Sequence, residues 1–187
     1  MSVGNWPSRA LAIRRMKSIF SLSFLKVYER SFWAFRLLTW FGCGLSPVAP
    51  GTVGSLGALP PAAGVMWLLG PDHGRWSLLA LAVLFGVLGA LVSTQYILDT
   101  GRKDPPEIVV DEVVGLWLVL CITPFTVWGW TAAFVAFRIA DILKPFPVSV
   151  VDRSVTGGLG VMGDDIVAAA YASVCVILIH QYTPYLG

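Results

Sequence analysis

An all-α fold, a compact helical bundle partly or wholly membrane-embedded with its polar loops on one face, is predicted by three features of this 187-residue chain. Aliphatic and aromatic residues make up 56% and charged residues only 13%, a balance that fits a membrane protein better than a soluble globule. The apolar residues fall in runs rich in alanine and leucine without strict two-residue alternation, which argues for helices over strands. Eight tryptophans add to this, because indole rings favour the membrane–water interface. The length suits about one domain.

Residues 1–40 read as a basic, aromatic extension. Seven of the thirteen basic residues lie there (Arg9, Arg14, Arg15, Lys17, Lys26, Arg30, Arg36), interleaved with Phe20, Phe24, Tyr28, Phe32, Trp33, Phe35 and Trp40. Such a segment suits the surface of anionic membrane lipids. Nucleic acid is the poorer match, since it would not require so apolar a remainder. The apolar stretch Ser18–Leu25 is too short for a signal-peptide core and is followed at once by Lys26. Residues 41–187 read as one helical domain. It opens with GCGLSPVAPGTVGSLG (42–57), a glycine- and proline-rich loop expected to lead into a helix.

Helices are then predicted over 57–70, 76–98, 111–122, 127–143 and 165–180, with Pro60, Pro61 and Pro124 expected to break or bend them. Only Trp76–Ser93 and Ile166–Ile179 approach a full span. The eleven residues Val113–Thr123 would rise about 16 Å against roughly 30 Å of hydrocarbon, so this piece cannot cross alone. If adjacent helices form hairpins, the loops at 42–56, 99–112 and 144–164 return to one side. That side receives Arg102, Lys103, Lys144 and Arg153, with Arg138 nearby, whereas the other receives only Arg75; by the positive-inside rule the first side is cytoplasmic. Cys43, Cys121 and Cys175 are odd in number and widely spaced, and with His73 and His180 they form neither a disulfide frame nor a zinc site.

The chemistry gathers on the basic side as well, since nine of the eleven acids lie between Asp99 and Asp165. Four stretches meet there: GTVGS (51–55), EIVVDE (107–112), RIADILKP (138–145) and GGLGVMGDD (157–165). Asp111 and Glu112 open one apolar helix, and Asp164 and Asp165 open another. Acids at helix amino ends can simply complement the helix dipole. Two such pairs, with Asp141 inside a third apolar helix, go beyond that need, because ionisable groups in a membrane domain are costly. Carboxylates converging without histidine or cysteine suit a hard cation, magnesium rather than zinc. Arg138 and Lys144 lie one turn either side of Asp141, either as an internal salt-bridge ladder or as anchors for a bound phosphate. The glycine run could add backbone amides, with Thr52 and Ser55 supplying hydroxyls, though it lacks the lysine of a GxxxxGK loop. No cysteine-phosphatase loop, no DxDx(T/V) nucleophile and no DGxxAR pattern is present, which leaves direct attack by a metal-activated water.

In order and spacing, GLSPVAPGTVGSLGALP, PPEIVVDEVVGLWL, RIADILKPFPV and GGLGVMGDDIVAAAYA resemble the motifs of the bacterial phosphatidylglycerophosphatase A family, from about Phe41 to Tyr171. The resemblance implies an all-helical, Mg2+-dependent enzyme of the bacterial inner membrane. Such an enzyme converts phosphatidylglycerophosphate into phosphatidylglycerol and inorganic phosphate in phospholipid biosynthesis, with its active site facing the cytoplasm. Carried onto this chain, it implies Asp111, Asp164 and Asp165 as metal ligands, Glu112 as the base, and Asp141 and Lys144 as further catalytic groups. It also implies Thr52, Ser55, Lys144 and Arg138 as contacts to the substrate phosphate. Cys43 stands where a small residue such as serine is expected, and Gly163 where a bulkier apolar one is common. The competing class, a small membrane transporter for a cation or phosphate, would spread ionisable groups through the midplane and both mouths, whereas here they gather on one side.

Overall fold

The computed structural model describes residues 32–102 and 105–182, which form helices joined by short turns, with no strand among them. In chain order these are α1 (Phe32–Leu38), a 3₁₀ turn (Cys43–Leu45), α2 (Pro50–Thr100), α3 (Val110–Leu120), α4 (Val127–Leu143), α5 (Val148–Ser154) and α6 (Gly158–Tyr182). The expected all-α bundle is what forms. Two of its helices, α2 and α6, are long and apolar enough to cross a membrane. Lys103, the side chain of Arg153 and residues 1–31 of the basic extension lie outside the described residues.

Helix α3 is the axis of the bundle. Every residue from Val113 to Trp117 is buried, as are Val119 and Leu120, and α3 packs against α2, α6 and α4. The short apolar piece that cannot cross a bilayer alone is thus wrapped by its neighbours. At its amino end Val109 offers no capping side chain, and Asp111 and Glu112 stand in the first turn, where the helix dipole favours negative charge.

Helix α2 departs from the expected pattern in two ways. It begins at Pro50, so GTVGS is helical and not a loop. Proline at the first helical position loses no hydrogen bond, and the glycines that looked like loop residues are there for close approach. A Cβ on Gly51 would collide with Glu112 Oε1 of α3. Second, Pro60 and Pro61 lie inside the helix without ending it. The helical donor to the Gly57 carbonyl would be the amide of residue 61, which proline lacks. The Trp40 indole Nε1 donates to that carbonyl instead, at 2.9 Å. The next carbonyl, that of Ala58, accepts from Trp117 Nε1 at 2.9 Å. Trp40, Phe85 and Trp117 then pack edge to face with centroids 5.4–5.6 Å apart. The break expected between 70 and 76 does form: the chain turns sharply at Gly70, whose φ of 73° and ψ of 165° are open chiefly to glycine. A Cβ on Gly74 would lie 3.0 Å from the Met66 Cα, a contact that no straight helix permits.

Phe35, Leu38 and Trp40, assigned from sequence to a surface extension, are buried in the core. The Leu38 carbonyl accepts from the Val109 amide at 2.9 Å, which ties α1 to the start of α3. The outer faces are apolar: Trp67, Leu68 and Trp76 of α2 are 78%, 73% and 69% exposed. An exterior of this kind suits contact with hydrocarbon and would be a liability in water.

Trp40→Phe should destabilise the protein by roughly 1–3 kcal/mol, because it strips the replacement donor from a buried carbonyl. In a Pro61→Ala background, which restores the amide, the same change should cost about 1 kcal/mol less. A double-mutant cycle of denaturant midpoints in detergent measures this, and additive effects would mean that the indole matters only for packing.

Candidate active site

The three chain reversals that the hairpin pattern sends to one side do meet, around a polar cavity of about 560 Å³. Its walls come from the start of α2 (Ala49–Gly51), the segment before α3 (Pro105, Pro106, Ile108), the first turn of α3 (Asp111, Glu112), the end of α4 (Arg138, Asp141, Lys144), the link between α5 and α6 (Val155–Gly157) and the first turns of α6 (Gly160, Val161, Asp164, Asp165).

Asp111, Glu112 and Asp165 form the centre, each offering a carboxylate oxygen, with these oxygens within 4.8 Å of one another. Asp111 Oδ1, Glu112 Oε2 and Asp165 Oδ2 are buried and accept no hydrogen bond from the described residues. Burial pushes the Asp111 carboxyl well above the usual carboxylate range, and the charges of Glu112, Asp165 and Asp164 push it further. Burial also raises Glu112; the hydrogen bond with Asp111 and the Arg138 charge work against that rise, while Asp141 adds to it. Three converging, donor-starved carboxylate oxygens without nitrogen or sulfur partners fit a hard divalent cation.

A ring of charge surrounds that centre. Arg138 Nη1 pairs with Asp141 Oδ2 at 2.7 Å, lies 4.0 Å from Glu112 Oε1, and donates to Ser55 Oγ at 3.4 Å. Lys144 Nζ pairs with Asp164 Oδ2 at 2.8 Å, from a residue held in the left-handed region (φ 44°) at the carboxy end of α4. The ladder weighed from sequence is therefore split: Arg138 joins Asp141 within α4, and Lys144 reaches across to α6. Asp164 and Asp165 do not open their helix, since α6 begins at Gly158 and has no acid in its first turn. Dipole complementation accounts for Asp111 and Glu112 and not for this second pair.

Seven of the residues singled out from sequence line the cavity: Asp111, Glu112, Arg138, Asp141, Lys144, Asp164 and Asp165. Glu112, expected as the base, sits in the acidic triad, and Asp164, expected as a ligand, sits with Lys144. Thr52 and Ser55 do not line the cavity. Ser55 is fully buried, and its hydroxyl donates to the Gly51 carbonyl at 2.9 Å while accepting from Arg138. The walls at Pro105–Pro106 and Val155–Thr156 escape sequence reasoning, because neither carries a charge in an apolar setting to flag it.

Asp111 supplies a test with a definite sign. Where the pH lies between its unfolded value and its raised folded value, the native state holds a proton that the unfolded state has released, so stability falls as pH rises. Asp111→Asn removes that loss. In chelator the variant should melt above the wild type at about pH 8, with the gap closing toward about pH 5. Added divalent cation should raise the wild-type Tm more than that of the variant.

The sequence profile described as Phosphatidylglycerophosphatase A matches residues 36–180. Phosphatidylglycerophosphatase A of Escherichia coli K12 is 42% identical over 146 residues, covering 77% of this chain and 81% of the relative. The protein of the same name from Haemophilus influenzae is 40% identical over 76% of this chain and 85% of its own length. A Bacteroides thetaiotaomicron protein, provisionally named phosphatidylinositol-3-phosphatase, is 39% identical over 78% of this chain and 92% of its own length. No solved structure matches the chain. On the profile match, and on relatives aligned over most of both chains, the chain belongs to the phosphatidylglycerophosphatase A family.

Proposed function

We propose that this chain is a Mg2+-dependent lipid phosphatase that hydrolyses phosphatidylglycerophosphate to phosphatidylglycerol and inorganic phosphate in phospholipid biosynthesis. The observation that carries this reading is the donor-starved triad of Asp111, Glu112 and Asp165 inside a cavity that also holds Arg138 and Lys144. Such a site suits a cation and a phosphate together. The names of the relatives in Escherichia coli and Haemophilus influenzae supply the lipid. A transporter is not favoured, since the acidic cluster lies in one cavity at one end of the bundle.

Magnesium held by Asp111, Glu112 and Asp165 would neutralise phosphate oxygens and acidify a water. The chain's own residues do the rest. Lys144, 32% exposed by side chain, and Arg138 bind the terminal phosphate oxygens and draw the monoester into the cavity. Arg138 also fixes Asp141 beside Asp165, which places the Asp141 carboxylate to accept the proton of the attacking water. As the water oxygen bonds to phosphorus, the phosphorus–oxygen bond to the glycerol breaks. The departing oxygen takes a proton from Lys144, whose partner Asp164 holds the ammonium in place. Ser55 anchors Arg138 from behind, so its part in phosphate binding is indirect, and Thr52, which does not line the cavity, is left without a direct contact to the phosphate. We place the protein in a bacterial inner membrane with the cavity toward the cytoplasm, on the basic side of the chain. The catalytic domain, expected over 41–187, is read as beginning ahead of Phe35, because Phe35, Leu38 and Trp40 belong to its core, and the basic stretch before it is read as meeting anionic lipids.

Phosphate release from phosphatidylglycerophosphate in detergent micelles tests the reading. Wild type should need magnesium, and folded Asp165→Asn should lose at least about a hundredfold in rate. Lys144→Met should raise KM by about tenfold, as expected for a lost charge-assisted contact, and should also lower kcat by about a hundredfold, because the departing oxygen loses its proton donor. Faster release from phosphatidylinositol 3-phosphate than from phosphatidylglycerophosphate would move the substrate assignment to the lipid named for the Bacteroides relative. No release from either lipid under several divalent ions would overturn the enzyme.

A further inference from the structure

A further buried carboxylate lies behind the cavity wall, held by residues to which the proposed chemistry assigns nothing. Glu107 is 7% exposed and does not line the cavity. Its Oε1 accepts from the Tyr96 hydroxyl at 2.7 Å and from Arg102 Nη1 at 2.5 Å. Tyr96, 1% exposed, sits in the last turns of α2, and Arg102 follows the glycine that ends that helix. A buried carboxylate is expensive unless it is paired and hydrogen-bonded, and here both conditions hold. The clamp therefore joins the end of α2 to the segment that runs into α3.

That segment matters because of what flanks Glu107. Pro105, Pro106 and Ile108 line the cavity, while the Glu107 side chain turns the other way into the clamp. Four and five residues later come Asp111 and Glu112. The segment is held downstream by the Val109 amide bonded to the Leu38 carbonyl at 2.9 Å, and locally by the Ile108 amide bonded to the Pro105 carbonyl at 3.0 Å. The Glu107 carbonyl packs where a Cβ on Gly44 would sit, so the backbone has no slack on that side. Of these ties, only the Glu107 clamp acts through a side chain of the segment itself.

We propose that Glu107, held by Tyr96 and Arg102, is a positioning residue: it fixes the Pro105–Ile108 wall of the cavity and thereby the fit of the phosphorylated headgroup, while taking no part in bond making. Prolines at 105 and 106 stiffen the wall, and the clamp sets where it stands. Loss of the clamp lets the wall move and weakens substrate capture, leaving the acids and Arg138 to act as before on whatever binds.

The proposal rests on the lipid-phosphatase reading for its kinetic arm and is independent of it in a second arm. In the full-length protein, Tyr96→Phe and Glu107→Gln should each raise KM for phosphatidylglycerophosphate by about tenfold, with kcat within about twofold of wild type. The double variant should be little worse than either single one, because the two residues act as a unit. As a control, Val176→Ala trims a buried side chain of α6 remote in sequence from the wall, and should lower Tm without moving KM. In the second arm, amide hydrogen exchange of the same proteins without substrate should quicken at residues 107–110 in both clamp variants and stay unchanged there in Val176→Ala. Unchanged KM with unchanged exchange in folded clamp variants overturns the clamp, as does a fall in kcat alone. If wild type releases no phosphate, the lipid-phosphatase reading fails and the exchange arm decides the clamp by itself.

Discussion

Like charges held together out of water are the constraint around which this protein is arranged. Asp111, Glu112 and Asp165 bring carboxylate oxygens within 4.8 Å, each of the three has a buried oxygen that lacks a donor, and the Arg138 counter-charge is shared with Asp141. At that separation, in a medium less polar than water, mutual repulsion is worth several kcal/mol. The fold must hold such a site by force of packing. The buried helix α3 carries two of the acids on a stem enclosed by α2, α4 and α6, and the first turns of α6 press the third against it. Stability is thus set against function at one place: neutralising the site by substitution relaxes the fold, and a bound cation does so without losing the chemistry.

The packing that resists this repulsion depends on residues with little or no side chain. Gly51 lets the start of α2 lie against Glu112, and Gly158 lets the start of α6 lie against the Ala90 carbonyl and Thr94 of α2. The Gly158 amide also bonds to Thr94 Oγ1 at 3.0 Å. Where backbones come this close, a missing donor is exposed at once: Trp40 covers the Gly57 carbonyl that Pro61 leaves without an amide, and Trp117 bonds to the next carbonyl, that of Ala58. Apolar bulk on the outside and absent bulk on the inside are two sides of one solution.

Much of this is legible in the sequence, for a plain reason: charge is rare in the chain, so each acid or base in an apolar run draws notice. Asp111, Glu112, Arg138, Asp141, Lys144, Asp164 and Asp165 were visible on that ground, and the hairpin count was enough to bring their stretches to one end. Which acid pairs with which base was not visible, because pairing depends on how far α6 extends before Asp164, and the GGLG run conceals a helix start. The glycine run at 51–57 read as a loop since glycine signals either a turn or a close contact, and only the residue opposite, here Glu112 or Trp40, tells the two apart. Pro60 and Pro61 read as breakers because their rescue comes from a side chain seventeen or more positions away. Local rules describe a chain alone, and these features belong to its neighbours.

The short helix α1 bears on where the chain can be trimmed. Phe35 and Leu38 lie in the core, the Leu38 carbonyl holds Val109, and Trp40 covers a carbonyl of α2. The body that carries the site therefore begins ahead of Phe35. Shortening that removes this helix would strip a wall from the core and loosen the entry to α3, two residues before the first acid. Any smaller version of this protein must keep the aromatic segment from Phe35 to Trp40 attached.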